Sequence, residues 1–376
     1  MISFTIAFVV AFLVTGSVVR RSRRGPMPWD DVQLNGAQKF HAAPVPRIGG
    51  LGVAAALAAL ALWVAVSGMG PARELGLLLM AGLPAFAAGL LEDTTKRVGV
   101  VFRLLATMAS GVLAFWLLGA EIRRFDLGPI DGLLAWTLVS LLVTAVATGG
   151  LANAINIIDG YNGLTAVVST VMLMSIAYVG LQVGDNLIVS VALAAVGAIG
   201  GFFVWNWPRG LIFLGDGGAY FVGYLLATLV ILLVARHPEV SAWYALLLFI
   251  YPVFETLFSI WRKKFLRGIS PGVPDGLHLH MLVFRRLVRW AVGRRDAASL
   301  TLRNSLTAPY LWALSSISVL PASLLWRHTL ALQIVAALFC VLYVWLYARL
   351  VRFRAPRWLV LRSKRGGPLS RFSDWL

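Results

Sequence analysis

An all-α, polytopic integral membrane protein with about eleven transmembrane helices is what this sequence predicts, on three observations. Hydrophobic residues fill 59% of its 376 positions and charged residues only 13%, against about a quarter charged in soluble globular domains. The apolar residues gather in blocks of roughly 17 to 22, the length a helix needs to cross a hydrocarbon core about 30 Å thick. Lys and Arg fall almost wholly between alternate blocks.

The first block, 3–19, has no basic stretch ahead of it and is followed by Arg20, Arg21, Arg23 and Arg24. It reads as an uncleaved anchor with the N-terminus outside. Blocks at 48–67, 74–91, 100–118, 132–149, 163–182, 186–205, 214–235, 242–261, 308–326 and 330–350 follow. With the N-terminus out, all of the 33 Lys and Arg lie on one side except Arg73, Arg123, Arg124, Arg236 and Arg327. The positive-inside rule makes that side, and the C-terminal tail, cytoplasmic. The formal charge of +17 is therefore topological, with membrane lipid rather than nucleic acid as its partner. A single transmembrane domain over 1–351 is expected, with a cytoplasmic histidine-containing loop at 262–307 and a basic tail at 352–376. One cysteine, Cys340, excludes an internal disulfide and multi-cysteine zinc sites.

Polar groups near hydrocarbon are costly, so where a membrane chain tolerates them marks its working parts. Here the acids, amides and histidines cluster in the connections on the basic side: Glu92-Asp93, then Asn153, Asn156, Asp159 and Asn162, then Gly215-Asp216-Gly217-Gly218, and His278 with His280. Charge bias and polar clustering choose the same face, which favours an active site in the cytoplasm. A transporter more often holds ionisable groups near the midplane on broken helices, and only Glu255 lies well inside a block.

Each cluster has two readings. Adjacent Glu92 and Asp93 repel unless a cation or basic groups offset them. They suit Mg2+, which takes one or two carboxylates plus substrate phosphates, or a solvated helix end paired with Lys96 and Arg97. Asp216 is a natural helix N-cap, yet its flanking glycines let a backbone approach phosphate at a helix N-terminus. Asn153, Asn156 and Asp159 at i, i+3 and i+6 share one side of a helix. His278 and His280 open a basic amphipathic stretch with Arg285 and Arg286 that can lie at the interface and stabilise charge on a phosphate. Two-residue spacing is poor for a zinc pair on one helix. Together these groups suit phosphoryl transfer, which needs metal-neutralised phosphates and positioning.

With these motifs in order from about Lys39 to Arg286, the chain resembles the polyprenyl-phosphate N-acetylhexosamine-1-phosphate transferases, glycosyltransferase family 4. The family's first motif is usually two aspartates, and here it is Glu92-Asp93. The resemblance implies that Glu92 assists the lipid phosphate, that Asp93 sits near the metal, and that Asn156 and Asp216 ligate Mg2+, for which Mn2+ can substitute. It further implies that Asp159 holds the nucleotide sugar or metal and that His278 and His280 are catalytic. Lys39, Arg47, Asn153, Asn162, Arg285 and Arg286 become substrate-binding residues, and Pro252 with Glu255 matches a family Pro-x-x-Asp/Glu. The cell-wall phospho-MurNAc-pentapeptide translocase has three consecutive histidines and an Asp where Asn162 stands, so the branch that starts O-antigen and other surface polysaccharides fits better. The partners implied are undecaprenyl phosphate and a UDP-N-acetylhexosamine, with a homodimer left open. A transporter or flippase and a non-catalytic scaffold are the rivals. Both predict no UMP release.

Overall fold

The computed structural model describes residues 2–31, 44–270, 276–288 and 297–353. The chain begins with α1 (Ile2–Ser22), then a two-residue antiparallel ribbon of β1 (Asp30–Asp31) and β2 (Val45–Pro46). Next come α2 (Gly50–Ser67), α3 (Ala72–Thr95), α4 (Val100–Leu118), α5 (Thr137–Ile158), α6 (Leu164–Gln182), α7 (Asn186–Asn206) and α8 (Gly215–Arg236). The remainder is α9 (Ala242–Leu248), α10 (Ile250–Trp261), α11 (Leu279–Arg286), α12 (Ala297–Leu325) and α13 (Thr329–Val351). Among the described residues ten helices are long and apolar enough to cross a membrane, eleven if α9 and α10 form one span. Large apolar side chains such as Leu62, Val66, Leu181 and Leu338 point outward. That is the surface of a protein solvated by lipid, where only structures that bond their own backbone can span.

Two differences from the hydropathy pattern have clear causes. The block at 242–261 is broken: α9 and α10 meet at 70°. Pro252, in the first turn of α10, has no N–H for the Leu248 carbonyl and its ring crowds that position. The block read from 308 starts as helix at Ala297. Asn304, Ser305 and Thr307 are buried in its early turns, so apolar patterning misses them although they are helical.

At the centre stands α8, with every residue from Gly215 to Leu233 buried. It is surrounded by α2, α3, α4, α5, α6, α7 and α9. The approach is closest where glycines meet. A Cβ on Gly89 of α3 would lie 2.4 Å from the Gly217 nitrogen, so small residues let the two backbones touch, as in many membrane helix pairs. At the start of α8, Gly215 has φ +77°, and a Cβ there would lie 1.7 Å from the Arg47 carbonyl oxygen. Only glycine fits that turn.

The same end of the bundle is laced by backbone bonds. Phe213 N–H donates to Pro46 O (2.9 Å), Gly49 N–H to Phe213 O (2.9 Å) and Gly50 N–H to Leu214 O (2.8 Å). The stretch before α2 is thus clasped between the ribbon and the stretch before α8, which sets Arg47 beside Asp216.

Candidate active site

The site is built on the first turn of α8. Asp93, near the end of α3 and 1% exposed, accepts the Asp216 N–H at Oδ1 (3.0 Å) and the Gly217 N–H at Oδ2 (2.9 Å). A carboxylate from one helix so caps another, satisfying free amides where the helix dipole favours negative charge. The Asp216 side chain faces the other way. Its Oδ1 accepts from Asn156 Nδ2 (3.0 Å) and from Arg47 Nη2 (3.4 Å), and its Oδ2 pairs with Arg103 Nη1. Arg47 loses solvation, which lowers its pKa, but the carboxylates of Asp216, Asp93, Asp31 and Asp159 outweigh this and raise it. It stays a cation at any working pH.

Asp216 opens on a cavity of about 290 Å3 also lined by Arg47, Asn156, Asp159, Tyr161, His278 and His280. Asp159 follows the last residue of α5 and is half-buried. Desolvation pushes its carboxyl up to about 7, with the charge of Asp216 adding to the effect. His278 and His280 stack face to face, ring centroids 5.3 Å apart at 1°, and Tyr161 meets His280 edge-on at 5.6 Å. His278 Nδ1 lies 3.0 Å from Glu255 Oε1. Among the described residues neither buried ring nitrogen of His280 has a hydrogen-bond partner. Buried polar atoms are normally satisfied, so this imidazole on the cavity wall is built to meet a ligand.

Burial pushes the His280 imidazole down to about 3 from its ordinary 6.5. Between those values the folded protein binds fewer protons than the unfolded chain. Its contribution to stability is therefore full above about 6.5 and is lost as the pH falls toward 3. Asp159, raised from 3.8 to about 7, acts in the opposite sense, its contribution lost as the pH rises through 7. Thermal unfolding at pH 7 and at pH 4.5 should show wild type losing more stability at the acid value than His280→Gln does. Equal acid losses in the two proteins would overturn this assignment.

Of the residues the sequence singles out, the fold brings Arg47, Asn156, Asp159, Asp216, His278 and His280 into one wall. Asp93 stands one layer behind as the cap of α8, with both oxygens engaged by amides. Glu92 does not line the cavity. Its Oε2 accepts the Val98 N–H at 2.8 Å and closes the turn after α3. Asn153 does not share the wall with Asn156 and Asp159; it donates to Thr107 Oγ1 (3.1 Å) and Gly149 O (2.8 Å), facing α4. Asn162 brackets α12, its N–H donating to Asn304 Oδ1 (2.7 Å) and its amide to Ser305 Oγ (3.1 Å). Arg285 and Arg286 stand off the cavity, the latter over the Phe353 ring at 3.4 Å. Lys39 lies outside the described residues. Among the described residues no three His, Cys, Asp or Glu side chains converge on one point.

Several residues at the site escape sequence reasoning. Asp31 is buried at the cavity, and an acidic Asp30-Asp31 pair inside an otherwise basic connection was the available signal. Arg103 reads only as topological charge until its contact with Asp216 is seen. Asn304 sits in the polar first turns of α12. For Mg2+, the donor types fit: the Asp216 carboxylate and the Asn156 amide oxygen are hard donors, with Asn156 here turning its Nδ2 to Asp216 Oδ1 (3.0 Å), and Asp159 stands in the same wall. An ion that keeps several waters needs few protein ligands when phosphates supply the rest.

The family description "Glycosyl transferase family 4" matches residues 75–234, from α3 to the end of α8. A Bacillus subtilis protein named "Probable undecaprenyl-phosphate N-acetylglucosaminyl 1-phosphate transferase" is 27% identical over 305 residues, covering 78% of this chain and 80% of that one. The decaprenyl-phosphate N-acetylglucosaminephosphotransferase of Mycolicibacterium smegmatis is 28% identical over 309 residues, 72% of this chain and 70% of its own. An undecaprenyl-phosphate alpha-N-acetylglucosaminyl 1-phosphate transferase of Thermotoga maritima is 29% identical over 141 residues, 38% and 42% of the two chains.

Proposed function

We propose that this chain, which matches the glycosyl transferase family 4 description over residues 75–234, is a sugar-phosphate transferase that moves an N-acetylhexosamine 1-phosphate from a UDP-sugar onto undecaprenyl phosphate. The observation that carries this reading is the single cavity in which Arg47, Asn156, Asp159, Asp216, His278 and His280 meet from four separate stretches of chain. Cationic, acidic, amide and imidazole groups around one space are what transfer between phosphates requires. An oxygen of the lipid phosphate attacks the sugar-bearing phosphorus, and the bond from that phosphorus to the oxygen of UMP breaks. No side chain needs to form a covalent intermediate.

Asp216 and Asn156 would hold Mg2+, which supplies neutralisation of the donor diphosphate. Arg47 and Arg103 bring two fixed positive charges to the same place, and the neutral His280 can bond a phosphate oxygen or sugar hydroxyl. The relatives' names all carry N-acetylglucosamine, which makes UDP-N-acetylglucosamine the first donor to test. The Lys and Arg asymmetry supports a site on the cytoplasmic face of the bacterial inner membrane, and the paired rather than triple histidine supports initiation of a surface polysaccharide.

The test is UMP release by purified protein given undecaprenyl phosphate and a panel of UDP-N-acetylhexosamines, with Mg2+ and with EDTA. Release that needs both the lipid and the cation is expected. No release with any donor from folded protein would sink the reading and favour a transporter, which moves its substrate without forming UMP.

A further inference from the structure

The histidine segment is held at three consecutive residues by side chains from α10, from Arg262 just after it and from α13. Leu277 O accepts from Arg262 Nη1 (2.7 Å) and from Tyr347 OH (3.1 Å), and Arg262 Nη1 also donates to that tyrosine oxygen (2.6 Å). His278 Nδ1 meets Glu255 Oε1 at 3.0 Å, and the same oxygen accepts the Leu279 N–H at 2.9 Å. The second oxygen, Oε2, accepts from Tyr343 OH at 2.8 Å. Glu255 is 1% exposed and Tyr343 is fully buried. An ionised carboxylate only accepts, and this one takes bonds from a backbone amide and a phenol, so the His278 Nδ1 must carry the proton. That leaves Nε2, on the other edge of the ring, for the cavity that His278 lines.

Tyr343 and Tyr347 stand one turn apart on α13. Tyr343 is fixed in turn by the ring edges of Phe254 (5.1 Å) and Phe258 (5.6 Å) from α10. α13 lies beyond the matched residues 75–234 and contributes nothing directly to the cavity wall. We infer that its tyrosine pair is a positioning clamp: Tyr343 acting through Glu255, and Tyr347 acting on the Leu277 carbonyl, set the tautomer and orientation of His278. Partners of this kind, behind a working imidazole, typically change activity by about 10- to 100-fold when removed. The hydroxyl of Tyr343 supplies one of three bonds to Glu255, so its loss belongs at the lower end of that range. The kinetic part of this inference rests on the transferase reading.

The experiment compares Tyr343→Phe, Glu255→Gln and their double variant with Tyr244→Phe, which deletes a buried hydroxyl bonded to Ser175 at 3.0 Å rather than to Glu255. UMP release, thermal stability and the nitrogen chemical shifts of 15N-labelled histidine are read on each full-length protein. The expected result is kcat lowered about tenfold in Tyr343→Phe, as second-layer partners of catalytic imidazoles behave, with the donor KM within twofold. The double variant should be no worse than Glu255→Gln alone, since both changes act through one carboxylate. The shift of the His278 signal, assigned by its loss in His278→Gln, should report Nδ1–H in wild type and mixed tautomers in Tyr343→Phe. Wild-type kcat and an unmixed tautomer in folded Tyr343→Phe would overturn the clamp, as would a loss matched by Tyr244→Phe. If wild type releases no UMP, the transferase reading fails by itself, and the tautomer measurement still decides the clamp.

Discussion

Changing Asp216 to Asn is expected to slow UMP release by about a thousandfold, the upper scale for removing one preorganised electrostatic group from an active site. One carboxylate here answers two guanidinium groups, Arg47 and Arg103, and the amide of Asn156. A neutral side chain removes the anion proposed to hold Mg2+ and leaves the Arg47 and Arg103 guanidinium groups without their shared carboxylate. The start of α8 is unaffected, because Asp93 grips the backbone amides of residues 216 and 217 and not this side chain. A folded protein, less stable because the two guanidinium groups lose that carboxylate but with the α8 cap kept, together with collapsed turnover is therefore the signature. Turnover within tenfold of wild type would remove Asp216 from the chemistry.

Asp93→Ala has the second large effect, and on a different quantity. Two hydrogen bonds to a buried carboxylate are lost at once, and bonds to charged groups contribute about 1.5–3 kcal/mol each. The amides of Asp216 and Gly217 are then left buried without partners, which adds their desolvation. Thermal unfolding should drop by several degrees or more, and turnover should fall because Asp216 is displaced with its helix. Glu92→Ala is the control: its bond from the Val98 N–H at 2.8 Å sits at a half-exposed turn and contributes about 1 kcal/mol. Equal stability losses in the two variants would show that Asp93 is not the cap described here. Adjacent carboxylates thus separate into one that builds the fold and one that closes a turn.

Much of this architecture was legible in the residues. Blocks of apolar sequence marked the spans, because lipid demands them, and polar groups at their ends marked the working face. Asn156, Asp159, Asp216, His278 and His280 stood out as polar residues in places where hydrocarbon makes them costly. What stayed hidden was depth and direction. The sequence shows Glu92 and Asp93 as equals, and only packing reveals that one points at α8 and the other at Val98. The i, i+3, i+6 pattern grouped Asn153 with Asn156 and Asp159, yet α5 ends at Ile158. Asp159 reaches the cavity from outside the helix, while Asn153 turns to α4. Arg103 was submerged in the topological charge, and Asn304 lay in helix too polar to be recognised as the start of a span. Pro252 did carry the signal for the break in the ninth block, through the N–H it lacks.

The isolation of α8 bears on how the enzyme lives in its membrane. A rod enclosed by seven other helices has scarcely any lipid neighbours of its own. Thickness, tension and curvature of the bilayer act on the outer helices, which tilt and slide to accommodate them. Asp216 rides at the head of an element that these forces reach only second-hand. The outer shell absorbs the weather of the membrane, and the wall that handles phosphate keeps still behind it.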